Sequence, residues 1–531
     1  MHPLIKTKGR YPERAKGIYE KLRKYTNDSF LYCLFSHFQT YRSNDKNLVM
    51  NFPWCCFLAL KWKFCAEQKS YATNMSQNDF IKIINSIYQL TNDVIKFENS
   101  TGTILEMRRM IINQSFYQTP LTRFALSLSR QYSWYCKSET PFFRDNFKSL
   151  TGLSLDKYYS LSFFFMFYFQ LNKKRESNIM KLDRIIIFLI PLFGIDDTKA
   201  FLKLVSLRRY DIKEFLSPYV REGWTAEEYF ERTPFMHKPL LIEKEGIIVL
   251  SRTVMNAGFF AIVPELFNEK LNGKYGEKFG EVVERYLEKR LNDTAYTVTT
   301  EKELNKIYRK EGRTGKVVDY LIQEGDAKVF IDSKAVMPHR QLRESIISNQ
   351  LNNKIKANLL EGLEKGQACA SIINSIEKRT RNPRDSLIII LQQDHFIATG
   401  KFISSFINND IFNKIYSEVG ELPISEDRIY YITIDEFEDL LEACQHNQIS
   451  ITEIIDRCVE SDRNPATQKM NFQMHIAHLL PPESTINKDL KTNYDEFLGT
   501  YEKMKHTSKI WDGKEISYEN IKRRLISEIF D

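Results

Sequence analysis

The chain has 531 residues, of which 43% are hydrophobic and 27% charged, and a formal net charge of +8 at pH 7. This content allows roughly two to four domain cores and excludes an intrinsically disordered chain, while the modest charge excludes a general polycation. No apolar run reaches the roughly 18 residues of a membrane span. The eight cysteines contain no C-x-x-C pair, so we expect reduced thiols, no zinc site and a cytoplasmic protein.

Residues 1–224 predict a mainly helical domain. Long amphipathic stretches dominate this region, and "SQNDFIKIINSIYQLTNDVIKF" shows the helical period clearly. The apolar runs at 161–171 and 184–194 are too short to cross a membrane, so they predict buried helices. The region carries no recognisable catalytic motif. Any contact with a second copy of the chain or with a partner protein is expected to involve this region, and no contact with a membrane is expected.

Residues 225–448 combine strand and helix signals, and residues 449–531 predict a helical C-terminal extension. Short β-branched and aromatic runs indicate the strands, and helical periodicity indicates the segments between them. The predicted elements are a hairpin over 240–250, a helix over 274–291, strands near 295–300, 316–322 and 327–335, a helical region over 341–378, and strands over 386–391 and 429–434. The sequence therefore predicts an α+β fold.

Two aspartates and a lysine interrupt two neighbouring predicted strands. Asp319 breaks one hydrophobic run, and Asp332 and Lys334 break the next. A hairpin with its turn at 324–325 would place Asp319 opposite Phe330. Asp319 and Asp332 would then be diagonal neighbours on one face, about 7 to 8 Å apart at the backbone, and close enough to share a cation.

An acidic residue followed two places later by a lysine is a weak signal by itself, because several such triplets occur in the chain. The triplet at Asp332 differs from the others in ending a strongly apolar strand and having a second aspartate on the paired strand. A third acid, Glu284, borders the apolar stripe of the helix predicted over 274–291. The alternative to a cation site is a solvated strand face that carries a salt bridge.

At these residues the chain resembles the PD-(D/E)XK superfamily, the restriction-endonuclease-like nucleases. Asp319 matches the first motif aspartate, and Asp332 with Lys334 matches the (D/E)xK triplet. Glu284 is the best match to the helix glutamate, whereas Val318 replaces the proline that often precedes the first aspartate. The resemblance implies an α-β-β-β-α-β core, here extended by a large N-terminal helical domain and a C-terminal helical extension.

The resemblance also implies metal-assisted hydrolysis of phosphodiester bonds, with Mg²⁺ or Mn²⁺ as the cofactor. Asp319 and Asp332 would hold the ion, and the backbone carbonyl of Ser333 would add a ligand. Glu284 would bind the ion directly or through water, and Lys334 would orient the attacking water or stabilise charge on the phosphate. Hard oxygen ligands of this kind suit these cations.

Two further sets of residues are candidates. Some branches of the superfamily carry a glutamine in the second core helix, and both Gln367 and Gln350 fit that place. The basic run between that helix and the fourth strand consists of Lys378, Arg379, Arg381 and Arg384. Such runs are usually solvated surface, but beside a nuclease-like core this one predicts contacts with nucleic-acid phosphates.

The predicted function is metal-dependent cleavage of DNA, in bacterial antiviral defence or restriction, as the resemblance to large, helix-extended members of the superfamily implies. Two alternatives stay open. One is an enzyme of DNA repair or recombination, or one that cuts RNA. The other is a non-catalytic nucleic-acid-binding scaffold that kept the fold, against which the complete set of acids and lysine argues, because clustered acids are costly without a cation.

Overall fold

Two mixed β-sheets and many helices build the computed structural model of the chain, which is an α+β protein. The chain forms two compact units. The first consists of Met1–Lys96, Met110–Lys270 and Lys488–Asp531, and the second consists of Phe97–Arg109 and Leu271–Asn487. The predicted domain boundaries at residues 224 and 448, which divide the chain into three consecutive segments, stay a prediction. The structure describes residues 10–40, 51–95, 100–170, 178–221, 223–243, 246–271, 273–335, 340–464, 466–480, 487–504 and 506–530.

The helices of the described ranges follow the sequence prediction in broad outline and are listed here in chain order. They are α1 (Tyr11–Leu22), α2 (Asn27–Thr40), α3 (Pro53–Cys65), α4 (Gln77–Tyr88), α5 (Thr91–Val94), α6 (Ser100–Gln118), α7 (Leu121–Tyr135), α8 (Phe142–Thr151), α9 (Leu155–Gln170), α10 (Leu182–Val205), α11 (Ile212–Leu216), α12 (Arg252–Lys270), α13 (Lys274–Asn292), α14 (Glu301–Lys310), α15 (Arg340–Glu344), α16 (Ser348–Ile355), α17 (Glu361–Glu377), α18 (Gly400–Phe406), α19 (Ile411–Val419), α20 (Ile434–Asn447), α21 (Ile451–Arg463), α22 (Gln473–Ile476), α23 (Lys488–Met504) and α24 (Glu515–Leu525). A single π-helical turn at Lys356–Leu360 joins α16 to α17.

The strands form two sheets, one in each unit. They are β1 (Ile179–Lys181), β2 (Ser206–Arg208), β3 (Leu240–Glu243), β4 (Gly246–Ile248), β5 (Val298–Thr300), β6 (Tyr320–Glu324), β7 (Ala327–Lys334), β8 (Ser386–Leu391) and β9 (Ile429–Thr433). The sheet of the first unit has the order β1-β4-β3-β2, and the sheet of the second unit has the order β5-β6-β7-β8-β9. The predicted hairpin over 240–250 is confirmed as β3 and β4, which pair antiparallel.

In the first unit, the apolar runs that predict buried helices lie in α9 and α10, but the run in α10 is only partly buried, because its Leu192 is 40% exposed. Helix α9 is buried on all sides from Leu161 to Phe169, and Phe163 stacks on Phe497 of α23 with ring centroids 4.2 Å apart. Helix α10 changes direction at Gly194, whose φ of 75° breaks the helical geometry. Within the described ranges, no helix combines the length and the apolar character that crossing a membrane requires.

The second unit has a sheet whose strands change from antiparallel to parallel at β7. Strand β6 pairs antiparallel with β5 and β7, whereas β7, β8 and β9 run parallel to one another. The carboxyl ends of these three strands, at Lys334, Leu391 and Thr433, therefore meet at one edge of the sheet. Ligand-binding residues of mixed α/β sheets commonly lie at such an edge.

The predicted register of the β6–β7 hairpin is wrong by two residues. The turn lies at Gly325 and Asp326, because Glu324 pairs with Ala327. Gly325 occupies the first turn position with a φ of 62°, a backbone angle that glycine adopts without strain. The observed register pairs Phe330 with Leu321 instead of Asp319, and this shift moves Asp319 along β7 towards Asp332.

Helix α14 is absent from the predicted elements, although the sequence contains its start signal. Thr300 accepts a hydrogen bond from the backbone N–H of Glu303, and the Glu303 side chain accepts one from the backbone of Thr300. This reciprocal capping box is written in the sequence as Thr-x-x-Glu. Strand β6 begins at Tyr320 instead of the predicted 316, because the preceding segment passes beneath α17 and buries Val318 without joining the sheet.

Two glycines bring α17 close to the sheet of the second unit. A Cβ added at Gly366 would lie 2.5 Å from Leu387 Cδ2 on β8. A Cβ added at Gly362, one turn earlier, would lie 3.2 Å from the Asp332 carboxylate and 3.3 Å from Ile389 Cδ1. Larger side chains at these positions would hold the helix away from the strands, so the glycines set the distance between α17 and β7 and β8.

This packing predicts the effect of one added methyl group. Gly366→Ala should lower the free energy of unfolding of the second unit by about 1–3 kcal/mol, because the fully buried Leu387 must shift. Gly280→Ala in α13 is the control, because a Cβ there meets nothing within 4 Å. The control should leave stability unchanged or raise it by up to about 1 kcal/mol. Urea unfolding followed by circular dichroism distinguishes the two, and equal stabilities would contradict the packing argument.

Candidate functional site

Two buried aspartates face each other at the carboxyl edge of the second unit's sheet. Asp332 lies in β7 with none of its surface exposed, and Asp319, which directly precedes β6, is 7% exposed. Because Tyr320 pairs with Ile331, extending the register by one pair sets Asp319 opposite Asp332. Directly opposite residues share a face of the sheet, so both carboxylates lie on the side that α17 covers.

Hydrogen bonds from the next residue of β7 fix the Asp319 carboxylate. Asp319 Oδ2 accepts from the backbone N–H of Ser333 and from the Ser333 hydroxyl, each at 2.7 Å. These bonds use a strand amide that has no partner residue in β6, since β6 begins only at Tyr320. Ser333 therefore orients Asp319, and a ligand role of its backbone carbonyl stays a prediction.

Two lysine ammonium groups neutralise the pair of carboxylates. Lys334 Nζ lies 3.1 Å from Asp332 Oδ2. Lys365 Nζ, from α17, lies 2.9 Å from Asp319 Oδ1 and 2.5 Å from Asp332 Oδ1, so it bridges the two aspartates. The two negative and two positive charges balance, and the buried cluster carries no net charge.

Burial and the neighbouring charges shift the pKa values of Asp332 and Lys365. Burial raises the pKa of Asp332 to about 6, the negative charge of Asp319 adds to the rise, and the two lysines oppose it. Burial by itself would lower the pKa of Lys365, but Asp319 and Asp332 together raise it above its ordinary value. Asp332 is thus the carboxyl of the pair that binds a proton more readily than usual.

The residues fit a hard divalent cation held by two carboxylates. Both Asp332 oxygens are buried, and although lysines lie near them, no described residue gives either oxygen a well-directed hydrogen bond. Mg²⁺ typically binds one or two protein carboxylates and completes its shell with water and substrate oxygens. In the described part of the chain, no group of three or more His, Cys, Asp or Glu side chains is placed to hold a metal ion. A cation held by Asp319 and Asp332 stays a prediction.

Glu284 lies near this pair but outside it. The Tyr320 hydroxyl donates a hydrogen bond of 2.6 Å to the backbone carbonyl of Glu284, which holds that turn of α13 beside β6. Glu284 itself is exposed. Partial burial of its carboxyl raises its pKa, and the charge of Asp319 contributes next. The negative charges of the aspartates therefore act on the Glu284 carboxyl. Of the two predicted modes of metal binding by Glu284, the one through water fits this position better, and it stays a prediction.

The two glutamine candidates make other contacts. Gln367 is fully buried in α17, and its amide pairs with the backbone of Ile424, accepting at 3.0 Å and donating at 2.6 Å. Gln350 lies exposed in α16 and accepts a hydrogen bond from Ser345. The structure brings neither amide to the aspartates, and Gln367 instead fastens α17 to a neighbouring loop.

The basic run lies at the opposite end of the sheet from the aspartates. It directly precedes the first residue of β8, whereas Lys334 and Asp332 lie near the last residue of β7, and the two strands run parallel. Arg379 donates to Asn374 and to the Asp326 carbonyl and pairs with Asp385, and Arg384 pairs with Asp456. Lys378 and Arg381 are exposed. Half of the run therefore has a structural role, and phosphate binding by its members stays a prediction.

Lys365 is the residue that sequence reasoning missed. It lies in "EGLEKGQA", where Gly362 and Gly366 stand four residues apart and thus on one face of a helix. Lys365 is three residues after Gly362, so it points to the same side as the glycines that contact the sheet. A lysine beside two closely packed glycines was the available signal, although its partners could not be read from the local sequence.

Comparison of the sequence with protein-family models and with curated proteins, and of the structure with solved structures, gives no match. A functional assignment therefore depends on the arrangement of Asp319, Asp332, Lys334 and Lys365 itself.

The raised pKa of Asp332 predicts a pH dependence of stability in the presence of a chelator. The folded state releases the proton near pH 6, whereas the unfolded chain releases it near about 3.9, so Asp332 makes stability fall as the pH rises from about 4 to about 6. Asp332→Asn cannot titrate. The melting temperature of the wild type relative to Asp332→Asn should therefore decrease across this range, and a constant difference between pH 4 and 7 would contradict the assignment.

Proposed function

We propose that the second unit is a metal-dependent nuclease of the PD-(D/E)XK type that hydrolyses phosphodiester bonds of DNA. The observation that carries the proposal is the pair of buried aspartates, Asp319 and Asp332, facing each other beside Lys334 at the carboxyl edge of the sheet. A solvated salt bridge, which is the alternative for an acid-lysine triplet, would leave these groups exposed. Burial of two acids side by side requires a specific reason.

The order of elements supports the proposal. Helix α13 precedes β5, β6 and β7, the segment α16–α17 follows, and β8 then pairs parallel to β7. This order is similar to the helix, three strands, helix and strand that the resemblance implies, although α14 is inserted between β5 and β6. Strand β9 adds a further parallel neighbour of β8.

The chemistry assigns a role to each side chain of the site. A bound Mg²⁺ or Mn²⁺ would polarise a phosphate oxygen and lower the pKa of its water. Asp319 and Asp332 would hold the cation, and the Ser333 N–H and hydroxyl keep the Asp319 carboxylate in a fixed orientation. Lys334, which is 14% exposed, can place its ammonium group beside the attacking water or the phosphate.

A nucleic-acid substrate fits the charge of such a site. The charges of Asp319, Asp332, Lys334 and Lys365 balance one another, so a divalent cation would add positive charge to this group and favour the approach of a phosphodiester anion. The choice of DNA, and a setting in bacterial antiviral defence or restriction, rest on the resemblance of the motif residues.

One observation favours the non-catalytic alternative, in which the fold is kept as a nucleic-acid-binding scaffold. Lys365 already bridges both aspartates, so the cluster is neutral without any ion. A site that only needs charge balance would be complete in this form. The two functions therefore differ in whether the protein binds a divalent cation and cleaves nucleic acid.

Removal of either carboxylate tests the metal site. Asp319→Asn and Asp332→Asn should each abolish cleavage of plasmid, linear or single-stranded DNA or RNA in Mg²⁺, and each should weaken Mn²⁺ binding measured by calorimetry. The control is Asp326→Ala, because Asp326 lies in the hairpin turn at the other end of β6 and β7. The control should cleave and bind Mn²⁺ like the wild type. Unchanged Mn²⁺ affinity in both asparagine variants would refute the site.

Replacement of Lys334 separates catalysis from structural charge balance. Lys334→Ala should keep nucleic-acid binding and bind Mn²⁺ at least as tightly as the wild type, but it should reduce the cleavage rate by about 10² or more, as for other lost electrostatic stabilisers of a transition state. Lys334→Arg should also be impaired, because the planar guanidinium cannot replace a compact ammonium. A Lys334→Ala protein that cleaves as fast as the wild type, or a wild type that cleaves under no condition, would favour the scaffold.

A further inference from the structure

Lys365 occupies the space between the two carboxylates that a cation would need. Its Nζ lies 2.9 Å from Asp319 Oδ1 and 2.5 Å from Asp332 Oδ1. We propose that the Lys365 ammonium holds the place of the divalent cation in the metal-free protein, and that it must leave the two aspartates before the cation can bind them. The inference rests on the metal site of the proposed function and adds an internal competitor to it.

The metal-free protein needs such a group. Two carboxylates opposite each other in a buried position repel, and each has lost its hydration. Lys334 Nζ lies 3.1 Å from Asp332 Oδ2, whereas the ion pairs of Lys365 are made with the Oδ1 atoms of both aspartates. Lys365 provides positive charge at these Oδ1 atoms, which are also the ones that a shared cation would bind.

The contacts of Lys365 differ from those of a permanent structural ion pair in the same unit. At the other end of the sheet, Asp385 pairs with Arg379 and also accepts a hydrogen bond of 2.9 Å from the Lys328 N–H. Arg379 is further held by Asn374 and by the Asp326 carbonyl. In the described part of the chain, the Lys365 side chain makes no hydrogen bond or ion pair outside the two aspartates, and no described residue gives the Asp332 carboxylate a well-directed hydrogen bond. The Lys365 bridge therefore consists of its ion pairs with the two aspartates and one hydrogen bond to Asp319 Oδ1, without support from other described residues.

The docking of α17 does not depend on Lys365. Gly362 and Gly366 set the helix against β7 and β8, and Gln367 ties it to the backbone of Ile424. The lysine side chain is 20% exposed, so its flexible stem reaches the surface. A change of rotamer can withdraw the ammonium while the helix stays in place.

A partner for the released ammonium lies one turn earlier on the same helix. Glu361 stands four residues before Lys365, the spacing and order in which a glutamate and a lysine pair best on a helix. Its carboxylate is 53% exposed and lies 3.8 Å from Lys334 Nζ, at the border of the site. Lys365 can thus exchange the two aspartates for Glu361, which leaves its positive charge beside the site.

Calorimetric titration of the full-length, chelator-treated protein with Mn²⁺ at pH 8 tests the competition. Lys365→Met keeps the length of the side chain and removes its charge, so it should bind Mn²⁺ about tenfold more tightly or better, as expected when one positive charge a few ångströms away is lost. Lys316→Met is the matched control, because Lys316 pairs with Glu364 and is 52% exposed. The control should change the Mn²⁺ affinity by less than about twofold. Equal or weaker Mn²⁺ binding by Lys365→Met would overturn the proposal.

Amine labelling of the wild type provides a second measurement that needs no variant. Acetylation followed by mass spectrometry should modify Lys365 several-fold faster in the presence of Mn²⁺ than in chelator, while modification of Lys316 stays the same. Slower or unchanged modification of Lys365 with Mn²⁺ would overturn the proposal. Because this measurement uses the wild type, it stays decisive if Lys365→Met fails to fold.

Cleavage assays separate this inference from the proposed function. Tighter Mn²⁺ binding by Lys365→Met in a protein that cuts no DNA or RNA would support the competition and refute the nuclease. Cleavage by the wild type together with equal Mn²⁺ affinities would refute the competition and leave the nuclease standing. Absence of Mn²⁺ binding in both proteins would overturn the competition.

Discussion

The constraint on which the second unit depends is the neutralisation of two carboxylates that face each other inside the fold. Asp319 and Asp332 are both buried, and an isolated buried carboxylate is costly unless a positive charge compensates it. Lys334 and Lys365 compensate them from two sides, one from the same strand and one from the covering helix. Burial and the charge of Asp319 raise the pKa of Asp332, and the two lysines oppose this rise.

Local geometry delivers these groups to one place. The turn at Gly325 sets the register of β6 against β7, and the Ser333 N–H and hydroxyl hold Asp319 where β6 has not yet begun. On the other side, Gly362 and Gly366 let α17 approach the sheet closely. With a larger residue at Gly362, the helix would be displaced and Lys365 would lose the contacts that bridge the aspartates.

The distribution of charge gives the second unit two chemically different ends. At the carboxyl edge of β7 the lysines are engaged with acids that could exchange them for a cation. At the amino end of β8, Arg379 and Arg384 are held in ion pairs that link the chain before the strand to Asp385 and Asp456. Two of the four basic residues of this run thus form ion pairs within the fold. The positions of basic residues in the sequence therefore do not show which surface could bind a nucleic acid.

The sequence by itself determined those features that depend on neighbours along the chain. The 3.6-residue period predicted α13, and the β-branched runs predicted β7 and β8 with bounds close to the observed ones. Asp319, Asp332 and Lys334 were recognisable because charged residues interrupt apolar strands that are buried in any compact fold. The capping box that starts α14 was equally local, and it was overlooked.

Only the tertiary structure decided which groups meet. The register of the β6–β7 hairpin depends on whether residues 324 and 325 or residues 325 and 326 form the turn. The two registers differ by two residues, so every side chain stays on the same face of the sheet in both. The alternation of apolar and polar residues therefore could not distinguish them. Lys365 reaches the aspartates because α17 packs on β7, which ends 31 residues before Lys365, and on β8, which begins 21 residues after it. The position of the basic run follows from the parallel pairing of β7 with β8, which places the start of one strand far from the end of the other. These relations are non-local: they are set by packing between segments that are distant in the chain, and the local sequence of one segment does not show which other segment it contacts.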